Sequence, residues 1–345
     1  MSEPPDNSAQ KQRVEELAEK WRRPSNNPPR WHHYVPQFYL RWFANEKKQI
    51  ARIGVATGEI NVIPVKRAAA EMDFNVIELP TGEISFEIEN MFASFENDAA
   101  PALRRIGEGA FPPPEKDRDA LAGFLGLQFS RGRDKRDKQQ VTEEWMHKFI
   151  ARQSLGNPER ARRRLREVSG KEPTDQEVDD LVRLVSDPDS YEVVIPDTNS
   201  IKAMLLVAQD AMVHIFNVTW SCLRFDRRLL ITSDNPVHTW SKPDKNGPLF
   251  GNRGLVTSDE VRFPVDPKTM LVFTVDERQI HKTIADKWAW EQNLNTIATA
   301  YRWVFAHPDH PQLDEIAQQA RSTQPGGIEV NAFGERTILR RDPPS

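Results

Sequence analysis

The sequence predicts an α+β fold, with a helical central layer and antiparallel hairpins contributed from both ends of the chain. Three observations carry this. Short β-type apolar runs separated by turn residues occur over 50–86 and again over 220–275. Between them, apolar residues recur at helical steps over 88–106, 121–131 and 200–217. Helices grouped in the middle and strands at both ends argue against a regularly alternating parallel sheet.

The elements follow in order. Residues 1–30 read as a flexible segment, with a short helix KQRVEELAEKWRR ending at Pro24 and SNNPPR as a linker. Residues 31–43, WHHYVPQFYLRWF, read as an extended stretch and then a helix. Pro36 fixes its own φ and biases Val35 away from helix. Phe38, Tyr39, Trp42 and Phe43 then fall on one apolar face. Ile50–Val55 and Glu59–Val65 flank Ala56-Thr57-Gly58 as a hairpin, and Phe74–Leu79 and Ile84–Phe86 flank Pro80-Thr81-Gly82 as a second. Ile88, Phe92, Phe95, Ala99, Ala102 and Ile106 mark an amphipathic helix, which Pro101 should kink or restart. After Pro112-Pro113-Pro114, Leu121, Phe124 and Leu125 set the stripe of another helix, which continues through Gln128 to Arg131. A helical pattern extends from Val141 to Ile150, and Ser200–Asn217 forms a further helix. Trp220–Phe225 and Leu229–Thr232 read as paired strands, as do Val261–Val265 and Met270–Val275. A last long helix is predicted from about Ile284 to Phe305.

The expected organisation is one α+β domain over 31–307, with a charged insertion at about 156–190 and an extension over 308–345. Hydrophobic content of 38% and charged content of 28% place the chain among globular proteins. The net charge of −4 favours no polyanionic partner overall, although local basic patches remain open. With Cys222 as the single cysteine, an intrachain disulfide framework and a multi-cysteine zinc site are excluded. No apolar run reaches the length of a membrane span, and the N-terminus lacks the apolar core of a signal peptide. A cytoplasmic protein with no membrane partner is the expectation.

Several polar groups stand out against this background. His32 and His33 could supply a metal ligand or a general base, or simply hydrogen-bond nearby backbone. Glu89 and Glu96, seven residues apart, share a helix side; they could form a carboxylate pair or a solvated flank. Gln128 and Arg131 sit on a stripe assigned to the interior, where unpaired burial costs roughly 1–3 kcal/mol per group. Arg131 could clamp a phosphate or carboxylate, or bridge to Glu89 or Glu96. Ser233-Asp234-Asn235-Pro236 follows the strand LLIT and could present a carboxylate or form a turn, with His238 nearby. The arginines from Arg160 to Arg166 could meet nucleic acid or form a solvated helix face. No glycine-rich phosphate loop, dinucleotide fingerprint, HExxH or GxSxG motif occurs, which weakens kinase and serine-hydrolase readings.

HHYVP resembles the start of some HNH-type nucleases. A helix follows at once, however, and no histidine lies between His33 and His147. A broader resemblance is to the DUF4238 family. It rests on HHYVPQFYLRWF, the helix with Glu89 and Glu96, LGLQFSRGRDKR, LLITSDNPV, FPVDP and the late helix carrying Asn293. That resemblance implies no reaction. It points to His33, Gln37, Glu96, Gln128, Arg131, Asp234 and Asn235 as the polar positions that match.

Two functions are therefore carried forward. One is a metal-dependent hydrolase acting on a phosphate-bearing substrate such as nucleic acid. In it His33, Glu96 and Asp234 are catalytic residues and ligands of a divalent metal, while Gln128, Arg131 and Asn235 hold the substrate. The other is a non-catalytic binding or interaction protein in which the same groups form a structural network.

Overall fold

Pro36 divides the opening aromatic segment as its ring requires. Before it, Trp31–His33 form strand β1. After it, Gln37–Leu40 form helix α1, which tightens into a 3-10 turn over Arg41–Phe43. The computed structural model describes residues 31–72, 74, 77–78, 84–85, 87–195, 197–242, 254–276, 279–323, 328–332 and 335–339. The N-terminal helix and linker predicted before residue 31 lie outside the described residues.

Strands β2 (Gln49–Gly54), β3 (Ile60–Pro64), β4 (Ala70–Met72), β5 (Ile77–Glu78) and β6 (Ile84–Ser85) follow. Next come helices α2 (Glu87–Glu108), α3 (Glu115–Ser130), α4 (Arg133–Leu155), α5 (Pro158–Ser169), α6 (Asp175–Ser186) and α7 (Asp197–Asn217). Strands β7 (Thr219–Arg224), β8 (Thr232–Ser233), β9 (His238–Trp240), β10 (Glu260–Asp266), β11 (Thr269–Thr274) and β12 (His281–Thr283) precede helix α8 (Lys287–Thr299). Strand β13 (Trp303–Ala306), helix α9 (Leu313–Ser322) and strands β14 (Ile328–Ala332) and β15 (Glu335–Leu339) complete the order. The fold is α+β, with predominantly antiparallel sheets built from both ends of the chain. No helix among the described residues is long and apolar enough to cross a membrane.

The chain divides into two compact units. One comprises Met1–Asp134 and Lys202–Gly326; the other comprises Lys135–Ile201 and Gly327–Ser345. The first holds a five-stranded sheet in the order β12-β7-β11-β10-β9 and a four-stranded sheet in the order β3-β2-β13-β8. The predicted hairpins β2–β3 and β10–β11 form in antiparallel register. Strands β5 and β6 also pair antiparallel, while their turn lies outside the described residues. In the second unit, Asn157 caps α5 by accepting from the Glu159 and Arg160 amides, and Gly170 ends it at φ 69°. Thr174 and Glu177 close a capping box at the start of α6.

Three expectations need correction. Residues 220–225 and 229–232 do not form a hairpin: β7 pairs with β11 and β12, whereas β8 pairs with β13 in the other sheet. The intervening Leu229 and Leu230 amides instead donate to the Pro267 carbonyl. The last long helix stops at Thr299, and Trp303–Ala306 becomes an inner strand between β2 and β8. Its aromatic and β-branched residues satisfy either pattern locally, and long-range pairing decides. Pro101 does not interrupt α2, which runs through Glu108. Proline removes the bond to the carbonyl four residues earlier. That carbonyl belongs to exposed Asn97, while buried Ala99, Ala102, Leu103 and Ile106 hold the helix to the core.

Tyr39 of α1 joins the two large sheets of the first unit. Its fully buried hydroxyl donates to the Pro264 carbonyl of β10 at 2.6 Å and lies 2.7 Å from Thr232 Oγ1 of β8. A phenol has one proton, so Thr232 donates the second bond. The ring stacks on Phe263 at 5.0 Å and meets Phe43 edge-on at 5.5 Å. Tyr39→Phe keeps the ring and strands both partners, so unfolding in urea should show a loss of about 1–3 kcal/mol. An unchanged midpoint would show that this hydroxyl contributes nothing to joining the sheets.

Candidate functional site

Arg131 caps the C-terminus of α3 and lies inside the first unit with 3% exposure. Its Nε donates to Gln128 Oε1 at 3.0 Å, and its Nη1 donates to Glu96 Oε1 at 2.9 Å. The guanidinium carbon lies 4.8 Å from the Phe92 ring centroid. Gln128, 1% exposed, passes the chain of bonds onward, its Nε2 donating to the Tyr34 carbonyl at 3.0 Å. Helix geometry explains the convergence. Glu89, Phe92 and Glu96 occupy positions i, i+3 and i+7 of α2, while Gln128 and Arg131 stand three apart on α3. Burial pushes the Glu96 carboxyl up, and the adjacent Arg131 charge opposes that shift. Arg131 Nη2 is buried and has no hydrogen-bond partner among the described residues.

β1 brings both histidines to this network. His32 is fully buried, and its Nδ1 lies 3.6 Å from Glu89 Oε1. His33 Nε2 lies 3.2 Å from the Lys66 carbonyl, which can only accept, so Nε2 carries the proton and Nδ1 the lone pair. Burial holds His33 below its ordinary value of 6.5; the Lys66 carbonyl and Glu89 oppose this, and Arg131 adds to it. The imidazole is therefore neutral at pH 7. The sequence-selected residues His33, Glu96, Gln128 and Arg131 thus share one neighbourhood.

Asp234 and Asn235 make none of their hydrogen bonds within it. Asp234 Oδ1 accepts from the Tyr301 amide at 2.9 Å, and Oδ2 accepts from the Arg302 and Trp303 amides at 2.6 and 3.0 Å. The carboxylate therefore gathers the chain where it leaves α8 and turns into β13. Asn235 Nδ2 donates to the Thr299 carbonyl at 3.2 Å, and the Asn235 amide donates to Ser233 Oγ at 3.1 Å. His238 Nδ1 donates to the Pro236 carbonyl at 3.3 Å; burial and then Arg262 push this imidazole down to about 3.

Among the described residues, no three His, Cys, Asp or Glu side chains form a group that could hold a metal. The His33, Glu96 and Asp234 ligand set is thus not assembled. Glu96 serves Arg131, and both Asp234 oxygens serve backbone amides. Sequence reasoning also passed over Glu71, which faces His32 across the β1–β4 pair. Its carboxylate meets Arg133 at 2.5 Å and Arg302 at 3.4 Å. No local period marks Glu71, since β4 is only three residues long.

A family model described as a protein of unknown function (DUF4238) matches residues 31–310. The chain belongs to the DUF4238 family. No curated protein and no solved structure matches it. The DUF4238 match covers the Arg131 network, the Asp234 turn and β13. It also includes α4, α5 and α6.

Burial raises Asp234 from 3.8 to about 7 against the pull of its three amide donors. The folded state then holds the proton more tightly than the unfolded chain, so this group's contribution to stability falls as pH rises from about 4 to about 7. Asp234→Asn should remove that slope. It should also lower stability by about 1–3 kcal/mol, because an amide nitrogen would face a backbone donor. Parallel pH slopes in wild type and variant would refute the role given to this carboxylate.

Proposed function

We propose that this DUF4238 protein is a non-catalytic binding protein whose first unit is a scaffold stiffened by a buried polar network. One observation carries the reading. Among the described residues, the hydrogen bonds of His33, Glu96, Gln128, Arg131, Asp234 and Asn235 run to the backbone or to one another or, for Asn235, to neighbouring Ser233. A catalytic clamp has to present donors to a ligand, whereas Arg131 Nε and Nη1 are spent on Gln128 and Glu96, Phe92 covers the guanidinium face, and the remaining nitrogen, Nη2, is itself buried. Removing one partner from such a buried set leaves the others uncompensated.

Arg131→Ala should accordingly destabilise the chain by about 3–5 kcal/mol. Its melting temperature should fall by at least about 6 °C. A melting temperature equal to or above that of the wild type would contradict the scaffold reading, since sites that sacrifice stability for function gain from truncation.

The second reading, hydrolysis of a phosphate-bearing substrate, is supported by the neutral His33 with its lone pair at Nδ1. Glu89 and Glu96 also keep 22% and 25% of their side chains exposed beside it. In that case, cleavage of a nitrophenyl phosphodiester would depend on His33 and decline along an acid limb below pH 6.5, where the imidazole charges. His33→Ala without loss of such turnover, or the absence of turnover by wild type, would remove this reading.

A further inference from the structure

The arginine-rich helix α5 sends its guanidinium groups in two directions. Arg162 donates to the Pro173 carbonyl at 3.0 Å and pairs with Asp175, and Arg166 pairs with Glu172 at 2.6 Å. These two hold the start of α6. Arg160, Arg163 and Arg164 instead line a cavity of about 400 Å³ against α4, whose side supplies His147, Ile150, Ala151 and Leu155. The single carboxylate in the lining is Glu167, 4.0 Å from Arg163 and 3.5 Å from Arg164. Three guanidinium groups against one carboxylate leave an excess positive charge. Arg163, Arg164 and Ile150 are 72%, 61% and 53% exposed, so charge and aliphatic floor are both presented outward.

We propose that this cleft in the second unit binds the phosphate backbone of single-stranded nucleic acid. This names the partner of the binding protein inferred above and rests on that reading. The size fits a ligand of nucleotide scale. Arg160 and Arg164 stand one turn apart, about 6 Å along the helix axis, and so present charge along a line rather than at a point. Every formally charged cation in the lining is an arginine, whose planar fork matches phosphate oxygens. The flat guanidinium also offers a stacking surface to a base, which the aliphatic floor does not. An acidic peptide would need only charge and an apolar floor, and it is the competing occupant.

The full chain is titrated into a fluorescein-labelled oligo-dT of twenty nucleotides and followed by fluorescence anisotropy from low to moderate salt. Binding is expected, with a log–log salt slope of about −2 for three phosphate contacts. Arg163→Gln combined with Arg164→Gln should weaken binding by about tenfold or more and flatten the slope. Both positions are exposed, and unchanged helicity by circular dichroism verifies the fold. Glu167→Gln should tighten binding, because it removes the carboxylate that competes for the same arginines. No binding by wild type, unaltered affinity in the double variant, or displacement of the DNA by poly-glutamate at equal charge concentration would each overturn the proposal. None of these outcomes bears on the melting behaviour of Arg131→Ala, so the cleft and the scaffold fail separately.

Discussion

One phenol holds the first unit's sheets in a single arrangement. Tyr39 Oη lies between Thr232 of the four-stranded sheet and Pro264 of the five-stranded sheet. Neither partner could be satisfied by a purely apolar residue of the same shape. The ring must be placed to within hydrogen-bonding tolerance, and Pro36 sets the angle at which α1 leaves β1. The aromatic segment therefore positions β1 as well, and through β1 both histidines and the Tyr34 carbonyl that Gln128 reaches. A buried hydroxyl with two partners demands this placement because an unmade bond there costs more than a made one yields.

The Arg131 network solves a related problem with charge. A guanidinium with almost no exposure has no water to screen it, so protein groups must supply its partners. Glu96 supplies opposite charge, Gln128 an oxygen and Phe92 a ring face. Each partner comes from a helix whose spacing aims it inward. The same logic governs Asp234, whose carboxylate relies on three amide donors. That choice has a topological consequence. By collecting the Tyr301, Arg302 and Trp303 amides, Asp234 diverts the chain from α8 into β13, the strand that links β2 to β8.

In the second unit the electrostatics faces outward. Five arginines crowded onto one short helix repel one another, and α5 divides them between two uses. Arg162 and Arg166 discharge onto Glu172 and Asp175 at the start of α6, a contact that helps place that capped helix. The other three keep most of their charge available beside an aliphatic floor. A chain with a net charge of −4 thus still carries a local basic cleft.

What the sequence determined alone is local. Helical spacing placed Gln128 and Arg131 in the interior, and the apolar periods with their turn residues located α2, α3, α7 and the hairpins β2–β3 and β10–β11. Each of these follows from steps of two to four residues, which a chain encodes without reference to distant segments. Tertiary structure decided whatever depended on partners far along the chain. Trp303–Ala306 satisfies a helical stripe as readily as a strand until β2 and β8 lie beside it. Leu229 and Leu230 look like strand residues until the Pro267 carbonyl takes their amides. Asp234 looks like a ligand until amides nearly seventy residues away fill both its oxygens. Likewise, the direction of each arginine on α5 is set by which neighbouring helix stands opposite it. Periodicity fixes which face a side chain occupies, and only packing supplies what that face meets.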